Sequence, residues 1–205
     1  MKQVNNFDRI AIIYDRLSKL VFGNNIQKAQ TAFISQIPFN SNILVLGGGT
    51  GNILKPLIKR SPQQITYLES SKRMLLRAKA QFPRESTALI NFIHGNELHI
   101  PRDECYDVVI TPFVLDVFRD DHLLKVMSRL NQALNENGVW LFTDFQGCNW
   151  YGRLLIKIMY RFFKMTSNIE ADRLPMFNFH FQSVNRRPLE VQTFCNGLIV
   201  SVLYR

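Results

Sequence analysis

The chain reads as a doubly wound α/β domain built on a seven-stranded sheet, five parallel strands followed by a C-terminal antiparallel pair. Short β-branched apolar runs alternate with helical patterns, a glycine cluster directly follows the first run, and Asn196–Gly197 joins the last two strand-like stretches. Strands that alternate with helices imply a parallel sheet with helices on both faces, because each crossover packs back on the sheet.

Each element has its own local reason. Apolar residues at Ile10, Ile13, Tyr14, Leu17, Leu20 and Val21 follow a three-to-four spacing, which predicts a helix over residues 6–36. Residues 1–40 then form an N-terminal helical cap, closed by Pro38 and the polar Asn40, Ser41 and Asn42. The run 43–46 is brief and β-branched, as a strand buried on both faces should be. Runs of the same kind occupy 65–68, 89–93, 108–110 and 139–142. Helices are predicted over 71–81 and 120–134, the latter capped by Asp120 or Asp121, with Gly138 ending the unit. Residues 146–187 read as a helical insertion or lid. Residues 188–195 and 198–205 flank Asn196 and Gly197, a pair suited to a two-residue type I′ turn because both positions need positive φ. One domain spans residues 1–205.

Length and composition narrow the class. The 205 residues amount to one domain, and 46% hydrophobic content excludes a disordered or fibrous chain. No apolar run reaches the roughly 18 residues that span a bilayer. No secretory pattern opens the chain, and Cys105, Cys148 and Cys195 show no metal or redox spacing. A cytoplasmic protein without a metal site is expected. The net charge of +9 raises the question of an acidic partner, yet no nucleic-acid module or basic run with interleaved aromatics is present.

Chemistry concentrates at Gly47-Gly-Gly-Thr-Gly51, between the first strand and a helix. Glycines permit a tight turn and a close backbone approach to a ligand. The pattern is G-x-G-x-G, and Asn52 stands where the dinucleotide fingerprint has its last glycine or alanine. Glu69 ends the second strand, near the offset at which a carboxylate meets ribose hydroxyls.

On these residues the chain resembles the class I S-adenosylmethionine (SAM)-dependent methyltransferases, particularly the ubiquinone/menaquinone biosynthesis branch, with their Rossmann-like sheet. Ile43-Leu-Val-Leu-Gly-Gly-Gly-Thr-Gly51 is similar to the glycine motif, and Tyr67-Leu-Glu-Ser-Ser-Lys-Arg-Met-Leu75 to the second motif. His94-Gly-Asn-Glu-Leu-His-Ile-Pro101, Tyr106-Asp-Val-Val-Ile110 and Leu134-Asn-Glu-Asn-Gly138 continue the likeness. Upstream, Phe7-Asp-Arg-Ile-Ala11 and Tyr14-Asp15 resemble the entry segment of the quinone methylases. The resemblance implies that SAM is the cofactor, with Gly47, Gly49 and Gly51 facing its methionine part and Glu69 its ribose. It implies further that Ser70 and Met74 border the adenine. Asn96 and the Glu97 backbone would read the adenine edge, Thr111 would lie near the sulfonium, and Tyr14 would close the site. Two departures are Val45, where the family usually carries an acidic residue, and Asn96, where it has aspartate.

Methyl transfer needs alignment more than a fixed catalytic set, so no strict motif is expected. Asp116 follows the fourth strand, where contact with substrate or a role as base stands beside a plain surface or capping aspartate, and His180 lies among phenylalanines with the acceptor pocket or plain packing as alternatives. In 149–165, Trp150, Leu154, Leu155, Ile158, Met159, Phe162 and Phe163 form a stripe with Arg153, Lys157, Arg161 and Lys164 interspersed. A lid or core role is the first reading, and contact with an anionic membrane the second. The expected function is methyl transfer to a small acceptor, apolar or quinone-like. A SAM-binding module without turnover (from Val45), an RNA methyltransferase (from the charge) and a nicotinamide oxidoreductase (from the glycine loop) are the alternatives.

Overall fold

A computed structural model describes residues 22–82, 89–147, 170–171 and 173–205, together with 152, 154, 156–158, 160, 161 and 164. The strands are β1 (Asn42–Leu46), β2 (Gln64–Glu69), β3 (Ile90–His94), β4 (Tyr106–Pro112), β5 (Leu134–Phe145), β6 (Pro188–Phe194) and β7 (Ile199–Tyr204). They form one sheet in the order β3-β2-β1-β4-β5-β7-β6. The strands from β3 to β5 pair in parallel, and β7 runs antiparallel to both β5 and β6. The helices are α1 (Asn25–Thr31), α2 (Leu54–Ile58), α3 (Lys72–Ala80), α4 (Asp120–Ala133) and α5 (Phe177–Ser183), and the described residues between 152 and 164 are helical.

The two-faced burial that the apolar runs predict is visible in β1. Leu44 and Leu46 join a core with α4 and α5, whereas Ile43 and Val45 join the opposite core with α2 and α3. Successive strand residues point to opposite faces, so a strand covered on both sides must be apolar throughout. Tyr67 (β2) and Trp140 (β5) are the largest fully buried side chains, on opposite sides of the sheet.

Several boundaries differ from expectation. The first helix ends at Thr31 and a 3-10 turn follows at Ile34–Gln36; residues 1–21, including Tyr14, lie outside the described residues. Asp120 and Asp121 occupy the first turn of α4 rather than its cap, which is Arg119. Gly138 lies within β5, not after a finished unit, because β5 starts directly from the end of α4. The terminal turn has φ of 53° at Asn196 and 83° at Gly197, as its residues predict, but it spans four residues because Cys195 is also left-handed. Leu198 N–H closes it on the Cys195 carbonyl at 3.1 Å.

In the insertion, Ile156 and Tyr160 face inward, while Leu154 and Ile158 of the expected apolar stripe are exposed beside Lys157 and Arg161. Trp150, Leu155, Met159, Phe162 and Phe163 lie outside the described residues. Among the described residues no helix is long and apolar enough to cross a membrane.

Candidate functional site

The sheet order reverses between β1 and β4, and open α/β sheets place their ligand crevice at the carboxyl ends of such strands. An open cleft lies there, walled by the loop after β1, the end of β2 and the residues that leave β4.

The loop is shaped by what surrounds it. Gly47 has a φ of +73°, and a Cβ there would sit 2.5 Å from the Val114 side chain. Gly48 is pressed against the Tyr67 ring, whose hydroxyl donates to the Gly49 carbonyl at 3.0 Å. Gly49 differs. Its φ is +64°, and a Cβ would meet only the Met74 sulfur at 3.9 Å, so that direction opens into the cleft. Gly51 packs against Ala78 of α3 and does not line the cleft, so its glycine serves loop–helix packing. The helix after the loop, α2, has 5 residues.

Among the described residues Glu69 is the sole charged one lining the cleft, and it is 4% exposed. Its Oε2 accepts from Gly49 N–H at 2.9 Å and its Oε1 from Ser71 N–H at 2.7 Å. Burial raises its proton affinity, and the bonds from Ser71, Gly49 and Ser70 oppose that. Gly49 N–H, Ser71 N–H and, at 3.5 Å, the Ser70 hydroxyl occupy three of the carboxylate's about four lone-pair sites, and rotation of that hydroxyl frees a second site for a ligand. Ser71 caps α3 by accepting from Met74 N–H at 3.2 Å, and Met74 and Ser70 line the same cleft.

Other expected contacts fall elsewhere. The Asn96 side-chain oxygen caps the 3-10 turn Glu97–His99, accepting from Leu98 N–H at 3.2 Å. It is exposed and engaged away from the cleft. Glu97 is buried with its carboxylate 3.2 Å from His122 Nε2. Thr111 is fully buried, and its hydroxyl accepts from Trp140 Nε1 at 2.9 Å. The reason is length: β4 runs to Pro112, two residues past the predicted 110, so Pro112, Phe113 and Val114 meet the cleft in its place. For His180 the structure gives the packing alternative. It is 3% exposed and its Nε2 lies 2.9 Å from Asp120 Oδ1, fastening α5 to α4. That bond is the main cause of a lowered proton affinity at Asp120.

Asp116 sits in a 3-10 turn, Leu115–Val117, whose last residue lines the cleft. Burial pushes its carboxyl up to about 7. Asp144, at the end of β5, is fully buried nearby and raised by burial and then by the charge of Asp116. The sequence reading passed over Asp144, although the rule that singled out Asp116, an acid at the carboxyl end of a strand, applies to it equally. Ile26 and Gln30 of α1, also cleft residues, carry no such signal.

Comparison with known proteins matches the same region. Residues 43–138 match the methyltransferase domain family. That stretch is just under half of the chain. The human N-terminal Xaa-Pro-Lys N-methyltransferase 1 is 26% identical over 99 residues, which are 48% of this chain and 44% of that protein. The chain thus spans less than half the length of that curated relative. Among solved structures, the DhpI–SAM–HEP complex superposes with a TM-score of 0.71 at 15% identity, over 97% of this chain and 94% of that one. The mitomycin 7-O-methyltransferase MmcR gives a TM-score of 0.70 at 16% identity, over 94% of this chain and 57% of that one. These likenesses show that the fold is that of the SAM methyltransferases. The DhpI structure is a complex with SAM.

Proposed function

We propose that the protein transfers a methyl group from SAM to a small acceptor, apolar or quinone-like, seated over Phe113, Val114 and Val117. The observation that carries this reading is the buried Glu69 carboxylate beside the one loop glycine whose Cβ direction is open. A carboxylate in that place accepts two ribose hydroxyls, and bare backbone at Gly47–Gly49 leaves room for the methionine part. Ser70 and Met74 would border the adenine. Val45 is fully buried in the core, so among the described residues the cleft offers no second acid toward the cofactor's ammonium.

Bound SAM supplies an already activated methyl group, so the chain's own work is alignment, exclusion of water and removal of a proton. Asp116 is the residue proposed to take the acceptor's proton, since a carboxyl that titrates near neutrality is matched to that task. The insertion supports a covering role: Tyr160 donates its hydroxyl to the Asp116 carbonyl at 2.8 Å, and Ala171 N–H donates to the Val117 carbonyl at 3.1 Å. Both bonds seat it on the turn beside the cleft.

A second reading, transfer to a peptide amino terminus, is favoured by the names of the curated relatives. Calorimetric titration with SAM and S-adenosylhomocysteine tests the common part, with micromolar binding of either expected. Absence of heat with both ligands would overturn it. Methylation of an apolar phenol panel but not of peptides would then decide for the first acceptor class.

A further inference from the structure

We propose that Gln30 of α1 holds the amino-acid end of SAM with its side-chain amide. The inference rests on the SAM reading given above and adds a residue to the same cleft.

α1 is placed by its backbone. Ala29 is 1% exposed, and its carbonyl accepts from Ser201 Oγ at 2.8 Å and from Thr143 Oγ1 at 3.3 Å. Both hydroxyls are buried, one on β7 and one on β5, so the last turn of α1 is pinned against that pair of strands. A carbonyl near a helix end is free to take such bonds. Residues four apart share a helix face, and from that face Ile26 and Gln30 both reach the cleft wall. Gln30 is partly buried, and among the described residues its side-chain amide makes no hydrogen bond. It therefore fastens nothing in the fold, and the anchor beside it works without it.

Its place along the cleft decides what it can meet. Glu69 stands at one end, on β2, and α1 rests on β5 and β7 at the other. The three strand steps from β2 to β5 span about 14 Å, and the loop Gly47–Gly49 lies between. A ligand with its sugar on Glu69 and its chain across that loop runs toward α1. The amino-acid end of SAM is a zwitterion. A primary amide serves both of its charges, the oxygen accepting from the ammonium and the NH2 donating to the carboxylate. Two amide bonds keep Glu69 at the β2 end. Of the uncharged polar residues in the wall, Ser70 adjoins Glu69, and Thr50 and Asn52 follow Gly49 toward α2. Ile26 is apolar, so Gln30 is the polar group that α1 brings to the cleft.

Calorimetric titration with two nucleosides separates this role from upkeep of the fold. S-adenosylhomocysteine carries the amino-acid end, whereas 5′-methylthioadenosine lacks it and keeps the adenine, ribose and sulfur. Gln30→Ala should weaken S-adenosylhomocysteine about tenfold, the scale of lost hydrogen bonds to charged groups, and change methylthioadenosine by less than about twofold. An unchanged affinity for S-adenosylhomocysteine, or an equal loss with both nucleosides, overturns the proposal. A Gln30 that serves the acceptor instead gives the first of these results. Should the variant not fold, the side-chain amide signal of Gln30 in the unaltered protein decides. It should move when S-adenosylhomocysteine is added and stay in place with methylthioadenosine; a signal that ignores S-adenosylhomocysteine refutes the contact. If the unaltered protein binds neither nucleoside, the SAM reading itself falls, and this inference with it.

Discussion

Glu69 shows how much a single side chain determines here. Its carboxylate is oriented by two amides from the same stretch that forms the cleft, so no large rearrangement is needed to present it to a ligand. Replacing it by alanine should weaken S-adenosylhomocysteine binding by about 1–3 kcal/mol, by leaving hydroxyls without an acceptor. Since its proton affinity is raised by burial, binding should also weaken as the pH is lowered, before an ordinary glutamate would protonate. Asp116 has the opposite bearing on stability. Its folded-state value of about 7 lies above its ordinary 3.8, so between those values the folded chain holds a proton that the unfolded chain has lost. Stability therefore falls as the pH rises through that window, and the full penalty is present above it. Asp116→Asn should make the protein more resistant to urea at pH 7.5, by about 1–2 kcal/mol, with no gain near pH 4. A protein that becomes more stable and loses transfer would mark Asp116 as retained for chemistry. Sequence made Glu69 and the glycines legible because their spacing is set by a strand, a turn and a helix in succession. It left Asp144 unread because its partner amides are 28 and 29 residues away, a distance only the sheet closes.

Among the elements, the strands were readable and their ends were not. A strand buried on both faces must be apolar, which locates β1, β2 and β3 to within a residue or two. The extent of β4 and β5 depends on pairing with each other and with β7, and that misplaced Thr111 as a cleft residue. In the insertion, Leu154 and Ile158 are the two described residues of the expected stripe and both are exposed, whereas Ile156 and Tyr160 are buried. Where it rejoins the body, His122 is held between Glu170 and Glu97 at 2.9 and 3.2 Å. Burial lowers the His122 proton affinity, but bonding to Glu170 and then the two carboxylate charges outweigh it and raise it. A raised histidine contributes stability that is complete at low pH and is lost as the pH rises through its folded value. The latch should therefore loosen on the alkaline side. Exchange of the Ala171 amide, corrected for intrinsic rate, should speed up as the pH rises from 6 to 9. His122→Gln should remove that dependence, and a flat profile in the unaltered protein would show that the ring does not hold the insertion.

At the scale of the molecule, the order β3-β2-β1-β4-β5-β7-β6 brings residues from three strand ends to one edge. The alternation of strands and helices made that architecture legible, and the Asn-Gly turn made the antiparallel ending legible. A ligand bound there joins both halves of the sheet, so it should stabilise the whole domain and not a local loop. At a hundredfold excess over its dissociation constant, S-adenosylhomocysteine should add about 2.7 kcal/mol, seen as a higher melting temperature. Adenosine alone, lacking the methionine part, should give a smaller shift. The most direct examination of the account is a crystal structure with S-adenosylhomocysteine bound. Both ribose hydroxyls should lie within hydrogen-bond distance of the Glu69 carboxylate, with the amino-acid end over Gly47–Gly49. A nucleoside seated elsewhere, or Glu69 turned away from the sugar, would contradict it.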